Sequence, residues 1–309
     1  MAMTFLHLAG LILLAALWGA SFLFIRVAAP PFGPVALMAA RLLVAALALG
    51  IPLALAGRRE DLRAVARTPG SFLALGALNV ALPFTLIAFA ELRLTASMAA
   101  ILNATTPLFG AAAAAWRLHE PMSARKAFGL GLGFLGVVVL VGWNPLPLTP
   151  WVVLSVAASL GAAVAYAFGA AYASSRTFEG SGVFTLATGQ LLGGAVVLLP
   201  LAGFSLPPAP PPGPAVASLL ALAVLCTSLA YLIYFPLLKR VGPTRTLTVT
   251  FLVPVFGTLW GALFLDEAVG AATVLGLTLI LLSILFVTEP RRAASAPQPA
   301  PSVSEGGRR

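Results

Sequence analysis

The chain has 309 residues, of which 60% are hydrophobic and only 9% charged, with a mean hydropathy of +1.03. That balance excludes a soluble globular domain and defines a polytopic membrane protein. Eighteen basic residues against nine acidic ones give a net charge of +9, and the single cysteine, Cys226, excludes an internal disulfide.

Apolar runs of about 20 residues, the length that crosses a bilayer, recur at roughly 8–27, 34–56, 70–90, 96–116, 125–143, 151–173, 183–203, 214–238, 246–265 and 272–288. They predict an all-α protein of ten transmembrane helices, because backbone in lipid must satisfy its own hydrogen bonds and these runs are too long for barrel strands. No basic n-region precedes the first run and nine more follow it, so a retained first helix is expected rather than a cleaved signal.

In span one, Trp18 lies halfway along, away from the interfaces where Trp gathers. With Ser21 one turn on, it offers an aromatic wall and a hydroxyl to a substrate; the plain alternative is core packing. Span two holds Arg41, the one basic residue well inside a span, at an insertion cost of about 2.5–3.5 kcal/mol. It can hold a substrate carboxylate or a charge that moves between states, or it can pair with backbone carbonyls freed by helix breaks. Span three places Asn79 four residues before Pro83. A lone amide in hydrocarbon is costly, so it faces a cavity or bonds a neighbouring helix. Glu91 ends this span.

Span four carries Asn103 four residues before Pro107. Proline removes a donor and crowds the carbonyl four residues back, so Asn103 gains a freed carbonyl beside its polar side chain. Glu120 ends the span. In span five, Gly131-Leu-Gly-Phe-Leu-Gly136 has dinucleotide-site spacing but no preceding strand, so with Gly129 it reads as a helix-packing face. A Pro-rich loop between Trp143 and Trp151 leads to span six, where Tyr166 and Phe168 are possible counterparts of Trp18. Span seven contains Gln190. After the stiff loop Ser205 to Pro214, span eight holds Cys226, Thr227, Ser228, Tyr231 and Tyr234. In span nine, Thr246, Thr250 and Pro254 share a face, Pro254 standing to Thr250 as Pro107 does to Asn103, and Glu267 ends the span. Residues 290–309 read as a disordered cytoplasmic tail.

The basic residues argue against a nucleic-acid partner. Fifteen of the eighteen fall on one side, in the loops near Arg58–Arg67, Arg117–Lys126, Arg176 and Lys239–Arg245 and in the tail. Arg26 and Arg93 fall on the other side, and Arg41 lies within. The positive-inside rule then places both termini in the cytoplasm.

Residues 92–140 align without a gap on 239–287, a shift of 147 that pairs Pro107 with Pro254, Phe109 with Phe256, Gly110 with Gly257, Glu120 with Glu267 and Gly129 with Gly276. Upstream, Trp18-Gly-Ala-Ser-Phe22 answers to Phe168-Gly-Ala-Ala-Tyr172, and Arg41 to Gln190. Units 8–143 and 151–288 thus hold five spans each. Five is odd, so the second unit is inverted in the membrane, the arrangement of alternating-access transporters.

These residues resemble the drug/metabolite transporter superfamily, in its branch with two EamA-type repeats. The likeness rests on Trp18-Gly19, on Arg41, on Asn103 to Gly110 followed by Glu120, and on Pro254 to Gly257 followed by Glu267. It spans nearly the whole chain. The resemblance implies an exporter of amino acids or other small metabolites in the plasma (inner) membrane. A candidate cavity then comprises Trp18, Ser21, Asn79, Asn103, Pro107, Tyr166, Tyr231, Thr250 and Pro254, with Arg41, Gln190, Glu120 and Glu267 in charge or structural roles. The alternative substrate is a lipid-linked or nucleotide sugar, against which the sparse basic charge at mid-depth argues.

A membrane-embedded enzyme is disfavoured. There are two histidines, His7 and His119, with no H-E-x-x-H and no carboxylate pair at mid-span. Lys126 and Lys239 lie in no phosphate-binding loop. No cofactor or metal is expected. The expected partners are the bilayer and a small solute, the chain acting as a monomer or homodimer. The lack of a mid-span carboxylate favours a facilitator or exchanger over carboxylate-driven proton coupling.

Overall fold

The structure is a computed structural model. It describes residues 5–118, 123–143, 147, 149–207, 209–242, 246 and 248–287, with backbone alone for 59, 62 and 114–118. Among these residues every regular element is a helix. Span one is α1 (Phe5–Phe32) and span two is α2 (Pro34–Leu55). Span three is α4 (Pro69–Gly76), a π-helical turn (Ala77–Ala81) and α5 (Leu82–Ala90). Span four is α6 (Ala96–Asn103) with α7 (Thr106–Leu118), and span five is α8 (Ala124–Gly142). Spans six and seven are α9 (Pro150–Ala173) and α10 (Val183–Ala202). Span eight is α11 (Gly213–Ala223), a second π turn (Val224–Leu229) and α12 (Ala230–Val241). Spans nine and ten are the shorter α13 (Val249–Phe264) and α14 (Ala271–Val287). The ten apolar segments expected from hydropathy are present, eight of them at least 18 residues long. The expected tail, 290–309, lies outside the described residues.

One helix is new. The segment α3 (Arg59–Arg67) is too short and polar to register as a span, yet its Glu60 and Asp61 lie in the first turn and Arg67 in the last, where the helix dipole favours them. Asp61 ties it to span seven by accepting from the Thr185 hydroxyl at 2.5 Å.

The π turns begin at Ala77 and Val224, which are 147 residues apart, so they are repeat partners. Their local causes differ. In span three, Pro83 cannot donate back to Asn79. In span eight the equivalent position is Ala230, and hydroxyls do the work: Thr227 Oγ1 donates to the Leu222 carbonyl at 2.7 Å and Ser228 Oγ to Ala223 at 3.0 Å, both five residues back.

Span pairing follows the inverted symmetry. α2 packs on α10 and α8 on α14, each helix on its own repeat partner. α1 packs on α11 and α12, and the mirrored pair is α9 on α5; α1 on α13 is mirrored by α9 on α6 and α7. The units therefore interleave, and Leu37, Met38, Leu42, Ile87, Leu191 and Leu222 from both build one core. Apolar side chains on the outer faces, such as Phe134 at 72% exposure, suit lipid rather than water.

Close approach of backbones rests on glycine, as in other membrane bundles. Gly129, Gly133 and Gly136 of α8 meet Val287, Ser283 and Ile280 of α14, whereas Gly131 faces open space. A Cβ on Gly76 would lie 2.6 Å from the Gly193 carbonyl carbon and 2.7 Å from the Gln190 oxygen. Gly76→Ala must therefore push α4 off α10, at a cost of about 1–3 kcal/mol for overpacking. Thermal unfolding in detergent should show a lowered midpoint; an unchanged midpoint would mean the contact is looser than this.

Candidate functional site

A polar cluster lies where the units meet. Arg41 is fully inside the protein at 3% exposure. It sits on α2 because that helix is apolar all round and faces α10 and the second π turn. Its Nε donates to Thr227 Oγ1 at 3.1 Å, one Nη reaches Met38 Sδ at 3.9 Å, and the guanidinium lies 4.0 Å from the centre of the Phe84 ring. Cys226, Tyr166 and Tyr231 are its electrostatic neighbours, and Glu91 is a weaker one. Among the described residues no carboxylate lies within ion-pairing distance of it.

Gln190 sits beside it on α10. The Asn79 amide donates to Gln190 Oε1 at 2.5 Å, and Gln190 Nε2 donates to the Tyr231 hydroxyl at 3.0 Å. Two inter-repeat bonds are thus related by the inverted symmetry. Arg41 of span two bonds the π turn of span eight, and its partner Gln190 of span seven bonds the π turn of span three. π turns recur at functional sites because they break the regular ladder, and here both occupy the centre. Gly169 of α9 allows the approach: a Cβ there would sit 2.8 Å from Asn79 Oδ1.

Aromatic side chains wall the cluster. Tyr166 packs edge-on against Phe84 at 6.3 Å, Trp18 lies tilted against Tyr234 at 5.5 Å, and Tyr231 and Tyr234 both pack against Phe235. Ser21 is buried beside the Cys226 thiol. Of the expected residues, then, Trp18, Ser21, Asn79, Tyr166, Tyr231, Arg41 and Gln190 come together. Phe168, the suggested counterpart of Trp18, does not: it is 39% exposed on the outer face. Phe84 belongs to the cluster although nothing in the sequence singles it out.

The paired prolines behave differently from each other. Pro107 stands in the first turn of α7, after a true break at Ala104 and Thr105, where its missing N–H costs nothing. The Asn103 carbonyl expected to be free accepts from the Thr106 hydroxyl at 2.7 Å; the buried atom without a partner is instead Asn103 Oδ1. Pro254 is buried inside the continuous α13, with Thr250 in that helix's first turn.

Glu267 closes one edge. Its Oε1 accepts from Ala96 N–H at 2.6 Å, and its Oε2 from Ser97 N–H at 2.9 Å and from Ser97 Oγ at 2.5 Å. A carboxylate of the second unit thereby caps α6 of the first, where an anion is favoured. Thr95 completes the cap, accepting from Met98 N–H at 3.1 Å. Gly261 makes room, since a Cβ there would collide with the Glu267 carboxylate and Ser97 Oγ. Glu120, the repeat partner, lies outside the described residues.

Two inverted five-span units meet around a shared polar centre, a repeat architecture found among membrane transporters. Residues 6–142 and 151–289 each match the model of the EamA-like transporter family, and the chain belongs to that family. It is similar to an uncharacterized transporter of Bacillus subtilis, YvbV, at 31% identity over 58% of each chain. It is also similar to the protein PecM of Dickeya dadantii, at 27% identity over 70% of this chain and 72% of that one. A transporter of Archaeoglobus fulgidus, also uncharacterized, is 24% identical over 89% of this chain and 95% of its own. A solved crystal structure shares the fold at a TM-score of 0.62 and 21% identity, covering 91% of this chain and 96% of that one. The protein is thus an integral membrane transporter of the drug/metabolite type.

Proposed function

We propose that this protein is an exporter of small metabolites carrying a carboxylate and an apolar or aromatic body, amino acids first among them. Export runs by alternating access around the Arg41 cluster in the plasma membrane, with both termini cytoplasmic. The observation that carries this reading is Arg41 itself. A buried guanidinium has five N–H donors, and among the described residues only the bond to Thr227 and the weak one to Met38 use them. A dry cation without a counter-charge is expensive, and a substrate carboxylate would meet that need bidentately. Asn79, Gln190 and Tyr231 supply polar partners for a second substrate group, and Phe84, Tyr166 and Trp18 supply apolar walls. A single guanidinium is poorly matched to the diphosphate of a nucleotide or lipid-linked sugar.

Counterflow tests it. Proteoliposomes preloaded with mixed amino acids, then offered a labelled aromatic or aliphatic one, should accumulate label without an imposed ion gradient. If no amino acid is accumulated while another carboxylate-bearing metabolite is, the substrate class stands and amino acids fall. Accumulation of uncharged solutes only would reject the role given to Arg41.

A further inference from the structure

Glu91 takes no part in the cluster just described, and its setting is unusual. It caps the end of α5, beyond the last turn of span three, where the chain turns back toward α6. Its exposure is 0%, and neither carboxyl oxygen has a hydrogen-bond partner. The local backbone is well held, since Glu91 N–H bonds the Ile87 carbonyl and the Glu91 carbonyl accepts from Arg26. Only the side chain is left bare.

The groups facing it come from four directions. Arg26 approaches from α1 and spends its contact on the backbone carbonyl, not the carboxyl. Arg41 on α2 is at longer range, and Glu267 stands on the segment after α13. The helix α9, which also packs on α5, carries no charged residue; its titratable side chains are Tyr166 and Tyr172. α6 carries none. An ionised Glu91 would therefore be a dry anion without donors, next to a second carboxylate that is itself committed to capping α6. A protonated Glu91 avoids both costs.

We propose that Glu91 is a proton-binding site, filled while Glu267 caps α6 and emptied when that contact parts and water reaches the carboxyl. The site uses a different residue and a different ligand from the substrate reading, so either can fail alone. It also changes the expectation of a facilitator or exchanger without carboxylate coupling. A carboxylate need not stand at mid-span to exchange protons; it needs a dry place that one conformation opens. Burial, and then the neighbouring Glu267, push the Glu91 carboxyl well above the usual carboxylate range, with Arg26 and Arg41 opposing.

Infrared spectroscopy of the purified full chain at neutral pH reads the proton directly. A protonated carboxyl C=O band, shifting in D2O, should appear in the wild type and be lost in Glu91→Gln. No such band, or one that survives in Glu91→Gln, overturns the proposal. A melting series supplies the second readout and shows whether the variant folds. As pH rises past the ordinary carboxylate range, the unfolded chain releases this proton and the native protein keeps it, so wild-type stability falls. The glutamine has no proton to release. Its melting point should therefore gain on the wild type as pH rises, and two curves that stay parallel would also overturn the proposal.

Discussion

Arg41→Met should cut counterflow by about tenfold or more while leaving the protein at least as stable as the wild type. The two halves of that expectation have separate causes. Hydrogen bonds to a charged group are worth about 1.5–3 kcal/mol, so if Arg41 anchors the carboxylate of the proposed substrate, its loss should cut exchange by about tenfold or more. Stability should not fall with it. Arg41 is buried and has no ion pair among the described residues, and replacing such a charge by an apolar side chain of similar length is often neutral or favourable. Arg41→Lys keeps the charge but not the planar fork, and should retain only part of the activity. Transport assays and thermal unfolding on the same preparations check both halves. A large loss of stability in Arg41→Met would assign Arg41 to architecture, through Thr227 and the Phe84 ring. Retained exchange would reject it as the substrate anchor.

Glu267→Ala should destabilise the protein by about 2–4 kcal/mol, the range for three charge-assisted bonds that do not add in full. The change strips Ala96 and Ser97 of their acceptor at the start of a helix whose residues are nearly all buried. It should also loosen the contact between the units at that edge. The chain carries its own reporter: Cys226 is the single cysteine, it is 1% exposed, and it stands beside Arg41 in the centre. Maleimide labelling of Cys226 should be slow in the wild type and several-fold faster in Glu267→Ala. Unchanged labelling together with lowered stability would make Glu267 a plain helix cap with no part in closing the centre. Gly261→Ala gives an independent check, because its Cβ displaces the same carboxylate without removing it.

Much of the architecture is legible in the linear chain. Ten apolar runs declare themselves because transfer of a segment into lipid depends on its length and composition, which need no partner. The inverted arrangement is legible because duplication leaves a constant offset, seen in Pro107 and Pro254 or Glu120 and Glu267. The members of the cluster are partly legible for a related reason. A polar or charged residue such as Arg41, Asn79 or Gln190 is conspicuous inside an apolar span, since burying it is costly.

What these residues do to one another is another matter. Amphipathic periodicity marks the buried face of a soluble helix, but in this chain the lipid-facing and protein-facing sides are both apolar. Nothing in the sequence near Phe84 shows that it lies over Arg41, and nothing near Phe168 shows that it turns outward. The matched proline positions promised matched helix breaks, yet Pro107 opens a helix and Pro254 lies inside one, because the breaks depend on how α6 and α13 pack. The π turns share a register for different local reasons, a proline in one and two hydroxyls in the other. Glu91 and Glu267 both read as carboxylates at span ends, but one is bare and buried and the other caps a helix of the opposite unit. Span number, inversion and the inventory of polar residues were determined by the sequence alone, because each is a property of one segment or of its copy. The partner of Arg41, the cap on α6 and the burial of Glu91 were decided by tertiary structure, because each depends on helices far apart in the chain that carry no shared signal of their contact.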